Sequence, residues 1–113
     1  MDIKNYQIKG RIWLETDQGH QLGPGRQKLL LAIKELGSIT EAAKKMKMSY
    51  RHAWEIIKEL NSVSGQLIVE KNSGGTNGGG SKLTAAGETL LKQFEVCQKA
   101  FETFKSQINQ GNK

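Results

Sequence analysis

Cysteine occurs once in the 113 residues, at Cys97, and histidine twice, at His20 and His52. A lone thiol closes no internal disulfide, and two distant imidazoles do not bring it to the ligand count of an ordinary zinc site. No structural metal and no cofactor are therefore expected. No apolar run approaches the ~20 residues that span a bilayer, and the opening MDIKNYQIKG lacks the apolar h-region of a signal peptide. The chain reads as cytoplasmic, with no membrane partner. Catalytic chemistry is missing as well: no paired carboxylates in a pocket and no nucleophile with base and orienter can be assembled, so no catalytic residues are assigned and the chain is not read as an enzyme. The length suits one domain, without room for a separate catalytic or sensor domain of ordinary size. Acidic residues are also in short supply, with 11 Asp and Glu against 17 Lys and Arg, a net charge of +6 and a pI near 9.6. That balance favours a polyanionic partner.

What is present centres on Ser38 to Leu60, SITEAAKKMKMSYRHAWEIIKEL. Ser38 followed by Glu41 has the S-x-x-E spacing of a capping box, and Ser49 offers a second N-cap. Ala42 and Ala43 are small enough to let a second helix cross closely, and Lys45 to Met48 leave three or four residues for a turn. This is the arithmetic of a helix-turn-helix, with helices over 38–46 and 49–63. Rotated at ~100° per residue, Tyr50, Ala53, Trp54, Ile56, Ile57, Leu60 and Val63 fall in one arc. Arg51, His52, Glu55, Lys58 and Glu59 occupy the wet side. Between Ala42 and Trp54 stand Lys44, Lys45, Lys47 and Arg51, with no Asp or Glu. Beside a helix N-terminus, whose free N–H groups already favour anions, these cations make a surface suited to phosphate.

Upstream, Tyr6, Ile8, Ile12 and Leu14 alternate with polar or outward residues, predicting a half-buried strand over 6–14. Thr16 to His20 would turn it into a short return at Gln21-Leu22, a hairpin over 6–22. Pro24 suits the first position of a helix over 24–36, where Leu29, Leu30, Ile33 and Leu36 repeat at helical spacing and Gly37 follows the end. Leu30, Ile33, Ala43, Ala53, Ile57 and Leu60 form the expected three-helix core.

Downstream, 67–84 reads as a wing: a strand at Leu67 to Lys71, a Gly-rich tip and a returning strand at Lys82 to Thr84. Its donors would be Asn72, Ser73, Gly75, Thr76, Asn77, Ser81 and Lys82, on a backbone able to approach a sugar-phosphate chain closely. The tip is not a P-loop, because Ser81-Lys82 reverses the required order. From 84 to 109 no proline interrupts a long helix, on which Leu90, Phe94, Cys97, Phe101, Phe104 and Ile108 recur at intervals of 4, 3, 4, 3 and 4. A seam of that period is expected to meet its twin, giving a homodimer. Folding back on its own domain is the other reading.

Gly37-Ser38-Ile39, Ala42-Ala43, Met48-Ser49-Tyr50 with Ala53-Trp54, the glycines Gly74, Gly75, Gly78, Gly79 and Gly80, and Leu83-Thr84 with Gly87 together resemble the N-terminal DNA-binding domain of the ModE family. That family comprises molybdate-responsive transcription regulators related to LysR-type winged helices, and the resemblance covers nearly the whole chain. It implies a mainly α fold with small β, a winged helix-turn-helix with an N-terminal hairpin and a long C-terminal dimerisation helix. It further implies that the polar face from Ser49 onward enters the major groove, that the wing touches an adjacent backbone, and that the genes controlled concern molybdate or its cofactor. Full-length members carry C-terminal molybdate-binding domains, which these 113 residues do not match. Molybdate sensing is accordingly not carried over.

The roles expected are these. Arg51 makes the bidentate guanine contact, or pairs with Glu55 one turn on. Glu55 could accept from a cytosine amine, and Tyr50 and His52 could contact bases or phosphate. Ser49 caps the helix and donates to phosphate, while Lys44, Lys47, Lys58 and Lys82 hold the backbone. Trp54 reads as core. The expected function is a homodimeric regulator on an inverted repeat of double-stranded DNA. An interaction module docking a separate sensor protein, with DNA contact secondary, is the alternative. RNA would ask for stacking aromatics that the wet face lacks.

Overall fold

The computed structural model describes residues 6–71 and 80–110. The elements run β1 (Leu14–Thr16), β2 (Gly19–Leu22), α1 (Pro24–Leu36), α2 (Ile39–Lys45), α3 (Tyr50–Ser64), β3 (Val69–Lys71), β4 (Ser81–Leu83) and α4 (Ala85–Gln110). This is a winged helix-turn-helix, mainly α, with two separate antiparallel two-stranded ladders. The starts of α1, α2 and α3 and the end of α1 have local causes. Pro24 opens α1, and Gly37 at φ 69° closes it by donating its N–H to Ile33 at 2.7 Å. Left-handed backbone of this kind costs glycine nothing. Ser38 Oγ accepts from the Glu41 amide at 3.1 Å, and Ser49 Oγ from that of His52 at 3.0 Å. The Glu41 carboxylate rests on Lys44 at 3.5 Å.

The core gathers one face from each helix. Leu22, Leu29, Leu30, Ile33, Ala42, Ala53, Ile57, Leu60 and Phe94 are fully buried, with Ile68 and Val69 closing the wing side. β4 docks onto the end of α1 through the Ser81 amide, which donates to Gly37 O at 2.9 Å. Asn61 at the far end of α3 accepts from the amides of Ile68 and Val69 at 2.7 and 3.3 Å. The wing root is thus fastened to both α1 and α3.

The strand expected over 6–14 is not formed. β2 is only four residues long and pairs with Leu14 to Thr16, with a register shift between Leu14 and Glu15. No partner remains for the residues before it. They run instead as an extended strap along α4: Ile8 N–H donates to Asn109 Oδ1 at 2.8 Å, and Asn109 Nδ2 donates to Ile8 O at 3.3 Å. Farther along, Gly10 lies against the Phe101 ring and Ile12 reaches the core. The alternation reports a real face, since Ile8, Ile12 and Leu14 are half-buried while Gln7, Lys9, Arg11 and Trp13 are exposed. Tyr6, however, is exposed.

α4 begins inside the domain and then leaves it. Thr84 fastens its start, donating its hydroxyl to Leu67 O at 2.6 Å and accepting from the Gly87 amide at 3.0 Å. Leu90, Leu91 and Phe94 are buried, and beyond them the helix extends a molecule measuring 64 × 29 × 21 Å.

Candidate nucleic-acid interface

α2 and α3 meet through a turn at Met46 to Met48, closed by Met46 N–H to Ala42 O at 2.9 Å and Met48 N–H to Ala43 O at 3.0 Å. Lys47 takes the left-handed backbone at φ 58°, which turns its side chain out of the hinge. Ala53, Ile57 and Leu60 point α3 into the core, so the opposite arc is held outward by packing. That arc carries Arg51, His52, Glu55 and Lys58, all exposed, with Tyr50 at its N-terminal edge, 46% exposed.

The charges on this arc are not equivalent. Arg51 Nε sits 3.3 Å from Glu55 Oε1, an i,i+4 pair that engages one edge of the guanidinium and leaves its terminal nitrogens open. At 89% side-chain exposure the pair adds little stability, but it aligns the planar fork with the helix surface. Lys44 is paired with Glu41, and Lys45 with Glu35. Lys47 and Lys58 have no carboxylate within ion-pair distance among the described residues. Glu59 is withdrawn from the arc by Arg26, whose Nη2 lies 3.0 Å away while its Nη1 donates to His20 O at 2.9 Å. That bracket ties α3 to the hairpin and α1. What remains is a cationic surface at the mouth of a helix N-terminus, where loose amides add to the attraction for phosphate.

Of the wing residues singled out from sequence, Asn72, Ser73, Gly75, Thr76 and Asn77 lie outside the described residues, as do the glycines 74, 78 and 79. Lys82 is exposed and leans on Glu70 at 3.7 Å. Ser81 is corrected: it is only 5% exposed, because its amide docks β4 on α1 and its side chain shares the inward face with Leu83. It is not a surface donor. The sequence reading passed over Lys71, whose Nζ stands 5.2 Å from the centroid of the Trp54 ring. Strand parity from the buried Val69 would have placed it on the α3 side. Trp54 itself is half-buried and packs on the core.

The α4 seam divides. Leu90 and Phe94 are spent on the domain's own core, because the first turns of α4 roof it. Phe101 and Ile108 are half-buried where the strap crosses, and Cys97 and Phe104 are exposed. The apolar side chains left open are therefore Val96, Cys97, Ala100 and Phe104, a face turned partway round the helix from the expected one. An open cleft of about 310 Å³ lies between strap and helix, lined by Gly10, Arg11, Ile12, Pro24, Gln98, Phe101 and Glu102. Among the described residues no group of three His, Cys, Asp or Glu side chains could hold a metal ion, and no helix is long and apolar enough to cross a membrane.

Residues 26–88 match the family described as bacterial regulatory helix-turn-helix protein, lysR family. The transcriptional regulator ModE of Haemophilus influenzae is 38% identical over 100 residues, 88% of this chain and 38% of that protein. The DNA-binding transcriptional dual regulator ModE of Escherichia coli K12 is 40% identical over 95 residues, 80% of this chain and 36% of that protein. The chain thus spans less than two fifths of the length of these relatives. In fold it is similar to the crystal structure of a CbnR DBD–DNA complex, with a TM-score of 0.59 at 22% identity over 79% of this chain and 98% of that one.

Proposed function

The chain belongs to the LysR family of bacterial regulatory helix-turn-helix proteins, and from that premise we propose that it is a homodimeric, sequence-specific regulator that occupies an inverted repeat in double-stranded DNA. The observation that carries the reading is the outward arc of α3. Arg51 presents open guanidinium nitrogens there, between the carboxylate-free cations Lys47 and Lys58, on a helix whose orientation the core dictates. Seated in a major groove, Arg51 donates in bidentate fashion to guanine O6 and N7, and Glu55 either steadies it or accepts from a neighbouring cytosine amine. His52 and Tyr50 lie within the same footprint, while Ser49, Lys44, Lys47 and Lys58 meet the flanking phosphates. Lys82 and the wing tip, with Asn72, Ser73, Gly75, Thr76 and Asn77, follow the adjacent backbone.

The dimer contact is assigned to the open stripe of α4 rather than to the whole seam. Val96 is 66% exposed and Phe104 48%. With Ala100 between them and Cys97 alongside, they make a narrow apolar strip on α4. Burying it against a second copy removes apolar area from water and lets the small Ala100 bring the helices close. A two-fold axis there sets two α3 helices toward half-sites about one DNA turn, or a multiple of it, apart. Identity to ModE regulators over most of the chain supports molybdenum-related genes as the targets.

A separate sensor protein is the other candidate for the α4 strip, and the two readings part on two measurements. Sedimentation of the chain alone is expected to give a dimer, and duplex binding is expected to fall steeply with salt as counterions are released. A monomer whose duplex retention is weak and flat in salt would instead identify a module that docks a partner subunit.

A further inference from the structure

β3 ends on Lys71, and the pleat decides where that cation goes. Successive side chains of a strand point to opposite faces, so Lys71 shares the inward face with buried Val69. Glu70 and its cross-strand partner Lys82 share the other face, where they pair with each other at 3.7 Å. Among the described residues Lys71 meets no carboxylate on the inward side. It meets the ring of Trp54, 5.2 Å from Nζ to centroid.

Trp54 sits at the border between the buried and the wet faces of α3. Tyr50 and Lys58 lie one turn to either side of it and Arg51 three residues back, so all three are its neighbours on the helix surface. The ring therefore holds the Lys71 ammonium beside the arc that faces the groove. This differs from the way neighbouring cations are held. Lys44, Lys45, Arg51 and Lys82 each lean on a glutamate, which orders the side chain and also offsets its charge. An aromatic face attracts an ammonium through its quadrupole and neutralises none of that charge. Lys71 is thus exposed and rests on a ring rather than on a carboxylate.

We propose that Lys71 and Trp54 form a phosphate-binding site at the root of the wing, in which Lys71 contacts a DNA phosphodiester and Trp54 is the positioning residue that presents it. The site rests on the reading of α3 as the DNA-facing helix, and it adds a contact between that helix and the wing tip. A lysine stem is flexible, and fixing it on binding costs side-chain entropy. Holding it in place beforehand lowers that cost. This pair also joins β3 to α3, as Asn61 does through the amides of Ile68 and Val69.

The test uses the full chain and a duplex pool of random sequence, with affinity measured across a range of salt. Lys71→Gln is expected to weaken binding roughly three- to tenfold for all sequences alike and to reduce the slope of log affinity against log salt by about 0.9, one phosphate contact. Trp54→Leu is expected to do the same through Lys71, so that Lys71→Gln costs little more in that background, while Trp54→Phe, which keeps a ring, retains most of the affinity. In a Trp13→Phe background, Lys71→Gln is also expected to change the emission of Trp54. An unchanged salt slope in Lys71→Gln, with wild type binding normally, would overturn this site alone. So would an equal cost of Lys71→Gln with and without the Trp54 ring. If Trp54→Leu does not fold, the comparison runs on Trp54→Phe and the slope of Lys71→Gln decides. Failure of the wild-type chain to retain duplex even at low salt would overturn the DNA reading and this site with it.

Discussion

Gly87 lies in the first turn of α4, where that helix crosses the backbone of the wing root. A Cβ there would collide with the carbonyl oxygen of Ile68, an atom fixed by accepting the Thr84 amide at 3.0 Å. Gly87→Ala is therefore expected to lower stability by about 1–3 kcal/mol, despite the better helix propensity of alanine, because backbone rather than a side chain must give way. Chemical denaturation would check it, and unchanged or raised stability would contradict the close approach. Arg51 poses the opposite case, a residue that supports nothing in the fold. At 89% side-chain exposure, Arg51→Ala is expected to leave the unfolding midpoint nearly unmoved. It should nevertheless cost about 1–3 kcal/mol of discrimination at one base pair, read as a larger loss on the preferred site than on that site with the guanine replaced. An equal loss on both duplexes would make Arg51 a phosphate contact. Residues of these two kinds differ in how readily sequence betrays them. Arg51 stands out as a cation on a wet arc, whereas the crowding at Gly87 depends on Ile68 crossing it, which no local pattern announces.

At the scale of elements, helices with caps were the readable part. Pro24, Ser38 and Ser49 open α1, α2 and α3 with local chemistry, and Gly37 closes α1 in the left-handed region. The wing strands were readable too, at Val69–Lys71 and Ser81–Leu83, but the surroundings of the strap and of α4, which depend on residues distant in sequence, were not. The alternation over 6–14 gave the buried side of the strap but not what covers it, and the strap found α4 rather than a strand. The seam on α4 likewise reported apolar spacing without saying that Leu90 and Phe94 belong to the domain's own core. In the wing, the donors named from composition omitted Lys71 and included Ser81, because facing is set by pairing and burial of β3 and β4 rather than by residue type. The strap carries its own prediction. Asn109→Ala removes both hydrogen bonds to Ile8 and nothing from the core, so hydrogen exchange at the Ile8 amide should accelerate while the global melting temperature changes little. Unaltered protection at Ile8 would show that the amide bracket is not what holds the strap.

The whole molecule is a small helical domain with a long helix leaving it. Its largest extent, 64 Å, is more than twice the next. α4 supplies much of that length: at 1.5 Å per residue, 26 residues reach about 39 Å, and beyond Phe94 it is met by Gln27 of α1, which exchanges hydrogen bonds with Gln98 at 2.7 and 2.9 Å, and by the strap at Asn109. A dimer through the Val96–Ala100–Phe104 strip would use this length to separate and orient two α3 arcs. Replacing both Val96 and Phe104 by glutamate is expected to give a folded monomer by sedimentation, with melting largely preserved because neither side chain is in the core. The same variant should bind an inverted repeat no better than a single half-site, and a dimer that persists would place the interface elsewhere. Selection of bound sequences from a random duplex pool by the wild-type chain, at low and at moderate salt, tests most directly whether α3 reads DNA. Recovery of an inverted repeat, with affinity falling steeply in salt, is the expected result. Retained duplexes that share no sequence, or no retention at low salt, would contradict the claim that α3 reads DNA in this chain.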